Sequence, residues 1–313
     1  MKKLAIVGAS GLVGQTVLKI LKEEKLLQNY EIFMLSSNRS AGKVLIFGDK
    51  HYRLFELSDE ILKLNFDYAI FLTGEDVSKV WCEKFAKTGT IVIDNSSAFR
   101  MKKDVPLIVP EINFNSIKKY DKIIANPNCS TIQLVLVLDK LRKLAIFENV
   151  VVSSYQSVSG AGRDALFDLE NNTSDFFEMG IKNNFIAKIG SVNENGFCSE
   201  ENKIMLESQK ILNEKFNIIA TTVRVPISFC HGESVYVKFS KDVDFEKVKA
   251  VLNCDYIKVS DDMFYPSDCA GTNETYVFRL RKQSDREILF FVIADNLRRG
   301  AGFNAVEILK RLG

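Results

Sequence analysis

The sequence predicts an α/β protein of two parts: a Rossmann-like dinucleotide-binding domain, and an α+β catalytic domain with a mostly antiparallel sheet. Three observations carry that prediction. The chain opens on a short apolar run that breaks at spaced glycines and passes into a helical pattern. Short apolar runs then alternate with helical spacing as far as about residue 145. After that point strand-like segments outnumber helices.

Residues 4–7 read as a buried strand and Gly8, Gly11 and Gly14 as a turn. Val13, Val17, Leu18, Ile20 and Leu21 then recur at helical spacing. Further strands are predicted at 31–35, 68–72, 91–93 and 123–125, with a helix over 77–87. Buried strands that alternate with helices form parallel sheets covered on both faces. In the second part, residues 150–156, 218–226, 234–239, 274–280 and 288–294 read as strands. Residues 297–312 read as an amphipathic helix, and the polar stretch 171–199 as an excursion or an interface region.

Composition narrows the function. The net charge of +2 is too small for nucleic acid or an anionic membrane to be the main partner. The six cysteines form no C-x-x-C pair in a chain of 313 residues, which argues against a disulfide framework or a structural metal site. Reduced thiols fit a cytoplasmic protein. The opening MKKLAIVGASG has a basic start, but Gly8 ends its apolar run too early for a signal peptide, and no segment has the length of a membrane span.

Gly8-x-x-Gly11-x-x-Gly14 follows a strand and opens a helix, so the main chain can approach a pyrophosphate and offer it uncapped N–H groups. Ser10, Leu12 and Val13 share that turn, and Thr73 ends a later strand; all four are expected at the cofactor. A glycine turn of this kind also closes joints that bind nothing. The segment after the second strand, 35–43, has no acid for ribose hydroxyls. It carries Ser36, Arg39 and Ser40 instead, which suit a 2′-phosphate and point to NADP.

Cys129, in Asn126-Pro127-Asn128-Cys129-Ser130-Thr131-Ile132-Gln133, sits where a strand ends and a strongly apolar helix begins. A helix N-terminus stabilises a thiolate, as a nucleophilic cysteine needs. Of the two histidines, His51 reads as a surface residue, and His231 is the plausible imidazole partner.

NPNCSTIQ, DNSSAFR (94–100), VPEIN (109–113), SYQSVSGAGR (154–163), RVPISFCHGES (224–234) and DNLRRGAG (295–302), in this order, resemble the aspartate-semialdehyde dehydrogenase family. The resemblance runs from residue 1 to the C-terminal helix. It implies an NADP-binding domain over 1–128 plus 297–313, and a catalytic and dimerisation domain over 129–296. It implies catalytic roles for Cys129, His231 and Gln156. Arg100 and Lys203 would hold phosphate, Glu200 the substrate ammonium and Arg224 its carboxylate, with Asn128 also at the substrate. Ser159, Gly160 and Asn296 would lie near the nicotinamide.

The implied reaction is the reversible reductive dephosphorylation of L-4-aspartyl phosphate to L-aspartate 4-semialdehyde, in lysine, threonine, methionine and diaminopimelate biosynthesis. It runs through a thioester on Cys129, with His231 as general base and the helix N-terminus at the oxyanion. The partners implied are the semialdehyde, the acyl phosphate, phosphate and a second copy of the chain; no metal is implied. N-acetyl-glutamyl-phosphate reductases resemble the chain in fold, but they carry a Gly-Cys-Tyr-Pro type motif. They remain the alternative activity, beside a non-catalytic NADP-binding homologue. A sugar-nucleotide enzyme would need a Tyr-x-x-x-Lys pair, and none stands out at the expected place. The chain departs from the family after Gln156, where it is shorter and has 186–192 in place of an IAFN-x-IPQ-like stretch. That leaves the oligomer geometry open.

Overall fold

The computed structural model describes residues 1–48 and 50–313. They form two compact units: Met1–Pro127 with Ala301–Gly313, and Asn128–Gly300.

The first unit carries β1 (Lys2–Val7), β2 (Tyr30–Ser36), β3 (Val44–Phe47), β4 (Lys50–Glu56), β5 (Tyr68–Phe71), β6 (Ile91–Asp94) and β7 (Ile123–Ala125). Their order in one sheet is β3-β4-β2-β1-β5-β6-β7. All neighbours are parallel except the β3–β4 pair at the edge. The apolar runs of β1 and β5 are buried because helices cover the sheet. Helix Leu12–Glu23 buries Val17, Leu18, Ile20 and Leu21, and helix Phe303–Leu312 adds Val306, Ile308 and Leu309 to the same core. His51, expected at the surface, lies exposed on the β3–β4 hairpin.

The second unit carries β8 (Phe147–Gln156), β9 (Asn217–Arg224), β10 (His231–Phe239), β11 (Ile257–Ser260), β12 (Thr275–Ser284) and β13 (Glu287–Ala294). The sheet order is β11-β12-β13-β10-β8-β9. The three central pairings are antiparallel and the two edge pairings parallel, so the sheet is mostly antiparallel. Helix Cys129–Leu141 lies on one face of this sheet with all but its first residue and Lys140 buried, which is why its sequence is apolar all round. Helix Ser199–Leu212 packs beside it and against β9.

The long C-terminal helix expected over 297–312 is interrupted. Residues Arg298–Gly302 form a π-helical turn, and the α-helix proper is Phe303–Leu312. Asp295 explains the break. Its carboxylate accepts from the Leu297 and Arg298 amides, and its carbonyl accepts from the Gly300 amide five residues on.

Candidate active site

In the first unit, the glycine turn is dictated by packing. Gly8 has φ +86, and a Cβ there would lie 2.5 Å from the Leu72 carbonyl oxygen. A Cβ on Gly14 would lie 2.4 Å from the Gly8 carbonyl oxygen. Gly11 is different: it is exposed, and a Cβ would meet nothing closer than 3.4 Å. It caps helix Leu12–Glu23 without a side-chain hydrogen bond. Main chain of this kind can face a diphosphate. Ser36, at the end of β2, is buried, and Arg39 is exposed in the loop that follows. Thr73 Oγ1 lies 3.3 Å from Ser78 Oγ at the start of the helix after β5.

Arg100 is buried, and main-chain carbonyls hold it. Its Nε donates to Asn126 at 2.9 Å and one Nη to Asn95 at 2.8 Å. The Asn126 side chain is itself fixed by Asn95 and Asn304.

In the second unit, the register of three strands gathers the predicted side chains. Gln156 on β8 pairs with Arg224 on β9 and with His231 on β10. Residues directly opposite one another in a ladder share a face, so the three form one cross-strand row, and all are buried. His231 opens β10, and residues 225–230 form the loop between it and β9. Cys230, just before it, is held at φ +71 and donates its amide to Asn296 Oδ1 at 3.0 Å.

Ser157 organises the row. Its carbonyl accepts from Arg224 Nη1 at 2.7 Å. Its amide donates to His231 Nδ1 at 3.0 Å, and its hydroxyl lies 3.1 Å from the same nitrogen. Ser157 and Ser159 both donate to Asn296 Oδ1. Ser159, Gly160 and Asn296 are therefore brought together beside His231. A Cβ on Gly160 would lie 3.0 Å from both His231 Nε2 and Arg224 Nη1.

These bonds settle the protonation of His231. Full burial, and then the Arg224 charge, push its pKa down to about 3, so the ring is neutral. An amide N–H can donate only to a ring nitrogen bearing a lone pair, so the proton sits on Nε2. That Nε2 has no hydrogen-bond partner among the described residues, and neither does Gln156 Nε2. Both are donors with no acceptor among the described residues. The general-base role expected for His231 needs a lone pair facing the site, and the lone pair faces Ser157 instead.

Cys129 is the first residue of its helix and is half-buried, with Gly300 packed so closely that a Cβ there would lie 2.8 Å from Cys129 Cβ. Burial lowers the pKa of Arg224, while the charges of Glu200 and Cys129 oppose that fall. Asn128 caps the helix: its Oδ1 accepts from the Ser130 and Thr131 amides. Its Nδ2 donates to Glu200 Oε1 at 2.8 Å, and its amide to Glu207 Oε2 at 2.7 Å. The cap thus occupies the Ser130 and Thr131 amides at the helix N-terminus, the end expected at the oxyanion. Lys203 pairs with Glu200 Oε2 at 3.0 Å, one turn along helix Ser199–Leu212. Among the described residues no group of three or more His, Cys, Asp or Glu could hold a metal.

The family comparisons agree over nearly the whole chain. A model described as the semialdehyde dehydrogenase NAD binding domain matches residues 3–120, and one described as the semialdehyde dehydrogenase dimerisation domain matches 138–299. The aspartate-semialdehyde dehydrogenase of Aquifex aeolicus is 41% identical over 332 residues, covering 99% of this chain and 97% of its own. That of Campylobacter jejuni is 39% identical, with the same coverage of each. Among solved structures, aspartate semialdehyde dehydrogenase II of Vibrio cholerae, complexed with ASA, superposes with a TM-score of 0.93 at 35% identity, covering 100% of this chain and 98% of that one.

Proposed function

Because the chain belongs to the aspartate-semialdehyde dehydrogenase family, we propose that it interconverts L-4-aspartyl phosphate and L-aspartate 4-semialdehyde through a thioester on Cys129, with NADP as the redox partner. The observation that carries this reading is the cross-strand row of Arg224, Gln156 and His231. Its two Nε2 atoms, unpartnered among the described residues, lie in the unit that holds Cys129.

The Gly8–Gly14 turn and the uncapped start of helix Leu12–Glu23 fit a diphosphate, and Arg39 and Ser40 would take the 2′-phosphate. When bound, the dinucleotide supplies the hydride acceptor. In the oxidising direction the Cys129 thiolate adds to the aldehyde carbon, and the carbonyl electron pair moves to oxygen. His231 Nε2–H and Gln156 Nε2–H donate to that oxygen, in place of the helix amides. The intermediate can then stay an alkoxide. Its electron pair re-forms the carbonyl as the hydride departs, which leaves the acyl group on Cys129 with no proton passing through His231. Phosphate held by Arg100 and Lys203 adds to the thioester, the C–S bond breaks, and the thiolate returns.

Lys203 and the substrate ammonium compete for Glu200. We assign the Lys203–Glu200 pair to the resting enzyme; phosphate draws Lys203 away and leaves a carboxylate oxygen for the ammonium. Arg224 takes the substrate carboxylate. The product would feed lysine, threonine, methionine and diaminopimelate synthesis in the cytoplasm. A homodimer fits the dimerisation-domain match and the outward face of the second sheet, where Val151, Tyr155 and Ile219 are exposed.

The test is phosphate-dependent reduction of NADP⁺ with aspartate semialdehyde. The wild type turns over, and Cys129→Ala folds but loses the rate by at least about a thousandfold. Normal turnover by Cys129→Ala would end the assignment of the nucleophile. Turnover of N-acetylglutamate semialdehyde in place of aspartate semialdehyde would move the enzyme to the related acyl-phosphate reductases.

A further inference from the structure

Two residues of the family motifs still lack a role: Gln133, which closes NPNCSTIQ, and Glu233, two positions after His231. The fold places them together directly behind the catalytic row. Glu233 lies on the same face of β10 as His231, opposite Ser154 on β8 and Val292 on β13. Gln133 lies one turn beyond Cys129, on the same side of the helix. Its Nε2 donates to the main-chain carbonyl of His231 at 3.1 Å. Glu233 and Gln133 are both wholly buried. Neither Glu233 carboxyl oxygen, nor Gln133 Oε1, has a hydrogen-bond partner among the described residues.

The surroundings of Glu233 do not favour a charge. Ser154 and Val292 are uncharged, and the titratable groups on the same face are His231, held neutral, Cys129, and Arg224 two strands away on β9, whose guanidinium is engaged by the Ser157 carbonyl. Asp139 and Lys140 lie at the far end of the helix, Glu148 and Glu287 at the far ends of β8 and β13, and Tyr155 on the opposite face of the sheet. On helix Ser199–Leu212, Glu201 is committed to the Cys198 and Thr222 amides, and Glu207 to the Asn128 amide. Burial accordingly pushes the Glu233 acid up to about 8, against the smaller opposing effect of the Gln133 amide. A carboxylic acid has a proton to donate, and Gln133 Oε1 is an acceptor that lacks a donor.

We propose that Glu233 is a positioning residue that fixes the Gln133 amide and, through it, ties the Cys129 helix to the main chain of His231. The inference rests on the proposed function, with Cys129 as the nucleophile and His231 as a donor to the developing oxyanion. Ionised Glu233 has no proton to give Gln133, and the tie loosens.

The experiment measures kcat and KM against pH for the wild type, Glu233→Leu, Glu233→Gln, Gln133→Leu and the Glu233→Leu/Gln133→Leu double variant. Glu233→Leu is expected to lower kcat on the order of tenfold, with KM changed by less than about twofold. Glu233→Gln keeps a neutral donor and recovers most of that loss. The double variant is no slower than either single one, because both remove the same tie. The wild-type kcat falls as the pH rises through about 8, and Glu233→Gln lacks that fall. Wild-type kcat in Glu233→Leu, additive losses in the double variant, or an unchanged alkaline fall in Glu233→Gln would each overturn the proposal. Where Glu233→Leu does not fold, the pH profiles of the wild type and Glu233→Gln decide. A wild type that leaves aspartate semialdehyde untouched refutes the proposed function instead. The positioning role is then read without substrate, from site-resolved alkylation of Cys129 by iodoacetamide: slower in Glu233→Leu than in Glu233→Gln supports it, and equal rates overturn it.

Discussion

Glu233→Gln should change how stability depends on pH. In the folded protein the Glu233 acid holds its proton to about 8, and in the unfolded chain it releases it near 4.5. Between those values the folded state binds more protons, so stability falls as pH rises. At about 1.4 kcal/mol per pH unit, the penalty between pH 5.5 and 8 is about 3 kcal/mol. His231 has the opposite sign. Its pKa is depressed from 6.5 to about 3, so its stability contribution is present above 6.5 and is lost as pH falls toward 3. The two slopes cancel between about 4.5 and 6.5. The wild type should therefore lose stability above that window, while Glu233→Gln keeps it. The assay is urea unfolding of both proteins at pH 5.5 and pH 8. Groups common to both proteins cancel in the double difference, which isolates residue 233. A double difference near zero would show that Glu233 is ionised in the native protein across the range, and the reasoning would fail.

Gly160→Ala should lower kcat by at least about a hundredfold, because a methyl group 3.0 Å from His231 Nε2 and Arg224 Nη1 fills the space where a ligand would meet them; near-normal kinetics would place the reaction elsewhere. Arg39→Ala should raise the KM for NADP⁺ about tenfold, the equivalent of about 1.4 kcal/mol, and leave NAD⁺ kinetics unchanged. Equal effects on both cofactors would remove Arg39 from the 2′-phosphate.

The first unit was legible in the sequence wherever strands are buried on both faces, because β1, β5 and β6 are continuous apolar runs that end at glycine or polar residues. The edge strand β3 was not, since Val44–Phe47 alternates between exposed and half-buried positions and carries little signal. Helix Ser199–Leu212 was visible only through motif residues, because buried Glu200, Glu201 and Glu207 interrupt the apolar stripe that a packed helix should show. The π-turn at Arg298–Gly302 was hidden because its cause is the set of local bonds that Asp295 accepts through its carboxylate and its carbonyl. At the site, Cys129, His231, Arg224 and Gln156 came from motifs, but their shared row needed the strand register. Ser157, Gln133 and Glu233 were inside those same motifs and were passed over. Serine and glutamine are ordinary residues, and only burial beside His231 marks them.

The row of Arg224, Gln156 and His231 also sets what this chain can tolerate in length. Each member is the terminal residue of its strand on the site side, so hairpins and loops at the other end can grow or shrink without moving any of them. Deleting a single residue within β8 is another matter. It would turn Gln156 to the opposite face and present Ser157 in its place, between an arginine and a histidine that had not moved. The chemistry is thereby locked to the counting of the ladder, and insertions should be confined to the connections around it.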